Sequence, residues 1–187
     1  VEIEQQEIER VAALVANLPT IAEKQQYVEQ LYRDHSRGRN YVKESYLANY
    51  EIGENDFHLD VHFLDGTDYH NQVDLMVGGS PCQSFSTNGK RGGFADTRGT
   101  LFHEYARIIG EVQPKCFIFE NVKGLLLHDD GATWAIIRNT FQELNYNIYL
   151  NHDENGNEKP LLNARHYGIP QNRERIYIRG ILKEYGD

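Results

Sequence analysis

At 187 residues, the chain is long enough to bury the core of one ordinary domain, and its net charge of −9 argues against a protein that coats nucleic acid. Its two cysteines, Cys82 and Cys116, stand in different settings and do not suggest a disulfide framework. No signal peptide opens the chain and no apolar run is long enough to span a bilayer. We therefore expect a protein of the reducing cytoplasm that has no membrane contact.

The first forty residues are predicted as a helical segment without a chemical signal. Apolar residues fall on one stripe of residues 2–18, and Pro19 ends that helix. Thr20–Glu23 has the capping-box pattern that starts a second helix, which a polar linker follows. We predict a domain boundary here, with the helix pair and linker in residues 1–40 and the main domain in residues 41–187.

The main domain begins with a predicted helix over residues 41–50 and a predicted strand over residues 57–64. Val73–Val77 is a short apolar run, typical of a buried strand in a parallel sheet, and it leads through two glycines to Cys82. In open α/β sheets, ligands bind beyond the carboxyl ends of the strands. Because glycines and three cations follow Cys82, the pattern indicates a thiol nucleophile under a loop that contacts an anion.

The next elements are predicted to bring a carboxylate to the same place. Thr100–Val112 has helical spacing, and Cys116–Phe119 is an apolar strand that ends before Glu120. A strand, helix and strand in this order imply a right-handed parallel crossover, so Glu120 and Cys82 are predicted at one sheet edge.

The remaining elements complete an alternating pattern of helices and strands. A helix is predicted over Gly131–Leu144, followed by strands over Tyr146–Leu150 and Ile176–Arg179. The polar loop Asn151–Pro160 mixes His, Asp and Glu without the spacing of metal ligands, so no metal is predicted. Positive charge is concentrated in residues 165–179, where four arginines accompany one glutamate.

Three motifs in this order resemble those of the DNA (cytosine-5) methyltransferases of bacterial restriction–modification systems. They are Pro81-Cys82-Gln83-Ser84-Phe85-Ser86, Glu120-Asn121-Val122 and Gln171-Asn172-Arg173-Glu174-Arg175. The resemblance runs from about Tyr41 to Arg179. It implies an α/β fold, namely a partial Rossmann-like methyltransferase domain with a mostly parallel sheet flanked by helices, preceded by the helical N-terminal segment.

The resemblance also implies a reaction, the transfer of a methyl group from S-adenosyl-L-methionine to C5 of a flipped-out cytosine in DNA. Cys82 would add to C6 of the base as a thiolate. Glu120 would hydrogen-bond and protonate N3, a role that suits a carboxyl whose pKa is raised by burial. Arg175, and with it Arg173, would hold the base carbonyl and stabilise developing charge.

Further contacts follow from the same resemblance. Asp60 would accept a hydrogen bond from the adenine amino group of the cofactor, and Pro81 and Leu101 would line the cofactor site. The predicted DNA contacts are Gln83, Ser86, Lys90 and Arg91. Taken singly, several of these residues have ordinary structural explanations, such as a turn aspartate for Asp60 or a core leucine for Leu101.

Two family elements have no match in this sequence, and they leave other functions open. No Gly-rich cofactor turn or acidic ribose contact precedes Tyr41, and no target-recognition region follows Arg179. The chain could therefore be an incomplete fragment, or one subunit of a split enzyme that acts by DNA binding or assembly with a second chain. A tRNA-directed relative is a weaker alternative, because Ser84-Phe85-Ser86 follows the DNA-type pattern. We expect weak cofactor binding by this chain alone.

Overall fold

The computed structural model describes residues 5–35, 40–53, 56–81 and 101–186. The chain divides into two compact units, Val1–Asp68 and Tyr69–Asp187. Among the described residues, no helix is both long and apolar enough to cross a membrane. The boundary at residue 40, which marks the start of the family-like segment, stays a prediction.

The first unit contains three helices, α1 (Gln5–Ala16), α2 (Ile21–His35) and α3 (Tyr41–Asn49). The apolar stripe of the first two is buried, because Val11, Val15 and Val28 pack with Phe63 in one core. The predicted capping box is present at the start of α2. The Glu23 backbone N–H donates to Thr20 Oγ1 at 3.2 Å, and that hydroxyl donates to the Glu23 carboxylate at 2.7 Å. The three helices predicted in this part of the chain are therefore confirmed.

The strand predicted over residues 57–64 is wrong. This stretch forms a single 3₁₀ turn, Val61–Phe63, and Asp60 caps it by accepting the His62 backbone N–H at 2.9 Å. Its apolar residues alternate as in a strand, but a capping aspartate offers the backbone a different hydrogen bond. Lys24 ties the following segment to α2, since its buried ammonium pairs with Asp65 at 2.8 Å and Asp68 at 2.7 Å.

The described residues of the second unit form a five-stranded sheet with two α-helices. Its elements are β1 (Leu75–Gly78), α4 (Leu101–Val112), β2 (Cys116–Val122), α5 (Ala132–Glu143), β3 (Tyr146–Tyr149), β4 (Leu161–Asn163) and β5 (Glu174–Leu182). The strand order is β1-β2-β5-β3, and β4 pairs with the first half of β5. All of the elements predicted here are present, whereas the short strand β4 was not predicted.

The α/β class is confirmed, but the pairing is not mostly parallel as predicted. Only β1 and β2 pair in parallel, and β5 pairs in antiparallel fashion with β2, β3 and β4. Four strands nevertheless run in one direction, because β5 alone is reversed. Because β5 lies between β2 and β3, these two parallel strands do not pair with each other, and each pairs with β5 in antiparallel fashion. As a result, the end of β2 and the start of β5 share one edge of the sheet.

One face of this sheet carries the core of the unit. The rings of Phe117 and Phe119 from β2 pack on Phe102 of α4 and Phe141 of α5, and all four are buried. Tyr146 closes the far side of the cluster and donates its hydroxyl to the Pro114 carbonyl at 2.7 Å. Side chains alternate along a strand, so Ile118 and Glu120 lie on the opposite face.

Candidate functional site

The structure brings together two of the predicted catalytic residues, Glu120 and Arg175. Arg175 Nε lies 2.8 Å from Glu120 Oε1, where β2 ends and β5 begins. The strand register explains the contact, since Val122 is paired with Arg175 and Glu120 with Tyr177. Glu120 and Arg175 are thus diagonal neighbours on the same face of an antiparallel pair.

The Glu120 side chain is less buried than its predicted role led us to expect. Its side chain retains 37% exposure and is held by the Arg175 guanidinium, which is itself about one-quarter exposed. It also lies within β2, because that strand extends to Val122 to pair with β5. An exposed, ion-paired carboxylate can exchange its partner for a ligand without leaving a charge buried.

The segment that leads to Cys82 lies directly against Glu120. A Cβ at Gly79 would stand 2.1 Å from the Glu120 carbonyl oxygen and 3.4 Å from its Oε2, so only glycine allows the two backbones to meet. Ser80 is buried and Pro81 is exposed. The described chain therefore reaches the position before Cys82 next to the Glu120–Arg175 pair.

Asn121 links the end of β2 to the Ser80 backbone, and no role was predicted for its side chain. Its side chain is only 3% exposed, its Nδ2 donates to the Ser80 carbonyl at 3.0 Å, and its Oδ1 accepts the Val122 N–H at 2.8 Å. A polar residue at a core-facing position of an apolar strand was the available signal, because a buried amide needs partners.

Arg173 lies beside this pair in an open depression. The depression has a volume of about 230 Å³ and is lined by Leu162, Ala164, Tyr167, Arg173, Arg175 and Tyr177. The Arg173 carbonyl accepts the Ala164 N–H at 3.0 Å, which fixes its backbone beside β4. Both predicted arginines therefore line one depression.

Asp60 has a different environment, within the first unit. Its Oδ1 accepts the His62 N–H at 2.9 Å and lies 2.7 Å from His62 Nδ1, while its Oδ2 accepts a short hydrogen bond from the Tyr32 hydroxyl. Burial alone would raise the pKa of Asp60, but the hydrogen bonds from His62 and Tyr32 outweigh burial and lower it. Burial and the Asp60 carboxylate together raise the pKa of Tyr32. Both oxygens of this predicted cofactor residue are thus engaged.

Several predicted residues cannot be placed with these. Cys82, Gln83, Ser86, Lys90 and Arg91 lie outside the described residues. Leu101, a predicted cofactor contact, is the half-buried first residue of α4.

Comparison with known proteins adds a family to this geometry. Residues 35–187 match the family model described as C-5 cytosine-specific DNA methylase. The type II methyltransferase M.SsoII of Shigella sonnei is 46% identical over 145 residues, which are 77% of this chain and 35% of that protein. The orphan methyltransferase M.SPRI of Bacillus phage SPR is 45% identical over 144 residues, which are 77% of this chain and 30% of that protein.

A solved structure shares the fold. The crystal structure of the S. pombe Dnmt2 methyltransferase matches with a TM-score of 0.50 at 22% identity, over 70% of this chain and 38% of that chain. The chain spans about a third of the length of the curated relatives that it matches.

Proposed function

Since the chain belongs to the C-5 cytosine-specific DNA methylase family, we propose that it contributes to methyl transfer from S-adenosyl-L-methionine to C5 of cytosine in DNA. The observation that carries this proposal is the Glu120–Arg175 pair, which lies against the Gly79–Ser80 backbone just before Cys82. A nucleophile, a carboxyl and a guanidinium at one edge are the groups that this chemistry requires.

Cys82 is the proposed nucleophile, because C5 of cytosine is too weak a nucleophile until a bond forms at C6. The Cys82 thiolate adds to C6, and the ring electrons shift toward C5 and N3. C5 then takes up the methyl group and loses its proton to a base, and the thiolate leaves C6 to restore the ring. The base must leave the duplex first, because a thiol cannot reach C6 within the stack.

Glu120 and Arg175 contact different atoms of the pyrimidine ring. Glu120 takes up a proton from solvent when its pair with Arg175 opens, and in that form it donates to N3, which draws electron density from C6. Arg175 then turns from Glu120 to the base carbonyl, where Arg173 can join it, and the two guanidinium groups stabilise the developing negative charge. The ion pair in the free protein is accordingly the resting arrangement of this site.

When bound, S-adenosyl-L-methionine would supply an electrophilic sulfonium methyl group and leave as the neutral thioether. Pro81 and Leu101 are proposed to line its site, since one is exposed and the other half-buried. Asp60 fits less well, because the adenine amino group would compete with Tyr32 and His62 for its oxygens. Gln83, Ser86, Lys90 and Arg91 stay proposed DNA contacts.

A second candidate function is a subunit of a split methyltransferase that works only with another chain. The engaged carboxylate of Asp60 favours it, because both of its oxygens already accept hydrogen bonds. Under this alternative, the 187 residues bind DNA or assemble, and a partner that carries cofactor and target-recognition elements restores turnover.

Mechanism-based trapping tests the first function. DNA that carries 5-fluorocytosine should form a stable covalent complex with the chain when S-adenosyl-L-methionine is supplied, because fluorine blocks the final elimination. The complex is measured by its reduced mobility on a denaturing gel, and Cys82→Ser should abolish it.

The matched control is Cys116→Ser. In the unmodified chain, the Cys116 thiol lies at the start of β2 and donates to the Asp74 carbonyl at 3.3 Å. This variant should be trapped like the unmodified protein. Equal loss from both substitutions would indicate a folding defect. Trapping only after a second chain is added would support the split enzyme.

A further inference from the structure

Positive charge collects on the solvent side of β5 and the loop before it. Residues 159–179 contain five lysines and arginines but only one acid, Glu174, in a chain whose net charge is −9. Glu174 is already paired with Lys123 at 3.0 Å. Along β5, Arg175 and Arg179 alternate with buried isoleucines, so both arginines face away from the core.

These cations line two open depressions that adjoin each other. The first is the 230 Å³ depression that holds Arg173 and Arg175, and the second has a volume of about 300 Å³. Leu162 and Tyr167 line both, and no acidic residue lines either. We call Lys159, His166, Tyr167, Arg173 and Arg179 the basic strip. Among the described residues, none of its members forms a close ion pair.

The loop that carries much of the strip is held at its base. Asn163 is buried and donates through Nδ2 to Asn172 Oδ1 at 2.7 Å, and the Ala164 N–H donates to the Arg173 carbonyl at 3.0 Å. Within the loop, a 3₁₀ turn ends at Gly168, whose φ of 79° favours glycine. Because the loop ends are tied, a ligand would not have to order this backbone when it binds.

An aromatic side chain stands between the charges. Tyr167 is 64% exposed and lines both depressions. Cations that alternate with an exposed aromatic ring suit a phosphodiester chain, in which charged phosphates alternate with sugars and bases that offer flat or apolar surface.

We infer that the basic strip binds the phosphate backbone of double-stranded DNA next to the Glu120–Arg175 site. Lys159 and Arg179 contact phosphates, and Tyr167 packs on the sugars between them. The choice of DNA rests on the proposed function, whereas the polyanion site rests on the charges and cavities alone. These contacts are additional to those predicted at Gln83, Ser86, Lys90 and Arg91.

Salt-dependent binding of a fluorescein-labelled duplex, followed by anisotropy, tests this inference. The double variant Lys159→Gln/Arg179→Gln should bind about tenfold more weakly at about 0.1 M salt. It should also reduce the slope of log affinity against log salt by up to about 2, since each phosphate contact contributes about 0.9. Tyr167→Ala should weaken binding and leave that slope unchanged.

The matched control, Lys115→Gln/Lys183→Gln, removes the same charge at the opposite edge of the sheet, where β2 begins and β5 ends. Its affinity should stay within about twofold of the unmodified chain. Arg179 also donates to the Leu150 carbonyl at 3.2 Å. If the strip variant loses thermal stability, the single variant Lys159→Gln replaces it, with an expected slope change of about 0.9.

If both double variants weaken binding equally, the effect reflects total charge rather than the strip, and the inference is overturned. The inference is also overturned if the unmodified chain does not bind duplex at about 50 mM salt. Covalent trapping separates this result from the proposed reaction. Binding through the strip without trapping at Cys82 would reject methyl transfer alone, and trapping with no difference between the double variants would reject the strip alone.

Discussion

Two carboxylates with predicted roles, Glu120 and Asp60, meet different surroundings. Glu120 has one guanidinium partner, and its side chain is 37% exposed, so a base could take the place of that partner. Asp60 caps a turn, and both of its oxygens accept hydrogen bonds from Tyr32 and His62. The Glu120 carboxylate can therefore exchange its partner for a ligand, whereas the Asp60 carboxylate is held by hydrogen bonds that stabilise the local fold.

The difference shows what motif spacing can and cannot establish. The family resemblance selected both residues, yet a carboxylate can act on a ligand only if its lone pairs are accessible. At Glu120, the strand pairing supplies one partner and leaves room. At Asp60, the helix pair that precedes the family-like segment supplies the Tyr32 hydroxyl.

The largest expected effect separates these two carboxylates by chemistry. Glu120→Gln should slow covalent trapping by 5-fluorocytosine DNA by about 100-fold or more, because an amide cannot protonate N3. Asp60→Asn should raise the cofactor concentration needed for trapping and leave the limiting rate nearly unchanged. Rates are read from the time course of the covalent complex. A similar fall in limiting rate for both variants would contradict the assignment of Glu120 to the chemical step and of Asp60 to cofactor binding.

A smaller effect concerns how the Glu120 edge is assembled. Gly79→Ala should lower the free energy of unfolding by about 1–3 kcal/mol, because the new methyl would meet the Glu120 carbonyl and backbone cannot move aside cheaply. Urea unfolding measures the change.

The matched control for this substitution is Gly124→Ala. Among the described residues outside its own turn, no atom stands within 4 Å of a methyl at Gly124, so its effect should stay within about 0.5 kcal/mol. Hydrogen exchange in residues 57–63 should be the same in both variants. Equal destabilisation by the two alanines would mean that close approach at Gly79 is not a constraint.

The smallest effect tests the Asp60 cluster. Tyr32→Phe should cost about 1 kcal/mol of unfolding free energy at neutral pH, the net value of one hydrogen bond. Hydrogen bonds hold the folded pKa of Asp60 below its unfolded value, so their contribution is present above about pH 4 and disappears as pH falls through the folded pKa. The stability gap between Tyr32→Phe and the unmodified chain should therefore narrow in acid.

The same variant reports on cofactor binding by calorimetry. Removing the competing hydroxyl should strengthen the weak binding of S-adenosyl-L-methionine several-fold, up to about tenfold. Unchanged affinity would remove Asp60 from the proposed cofactor contacts and leave it a purely structural residue.

Periodicity predicted the elements whose pattern is set by burial. The apolar stripe of α4 and the alternation of β2 were readable because one face of each meets the core. The strand predicted over residues 57–64 shows the limit, since Asp60 diverted an alternating pattern into a capped turn. Strand direction was not readable either, because the apolar pattern of β5 is the same whichever way it runs.

Motif order predicted that a carboxylate and an arginine would share a site, and Glu120 and Arg175 do lie together. The sequence could not indicate that Glu120 would stay exposed, because its exposure depends on how β5 pairs with β2. It also could not reveal the Tyr32 contact of Asp60, since Tyr32 lies outside the motifs and meets Asp60 only through tertiary folding.

The reversed strand β5 has a consequence for biosynthesis. It is the last described strand to leave the ribosome, yet it lies between β2 and β3 and supplies the neighbour of each. Until it emerges, the nascent chain holds β2 with one unpaired edge. Folding of this unit is therefore completed only after β5 has emerged, and the intermediate without β5 is the form most exposed to aggregation and to chaperone capture.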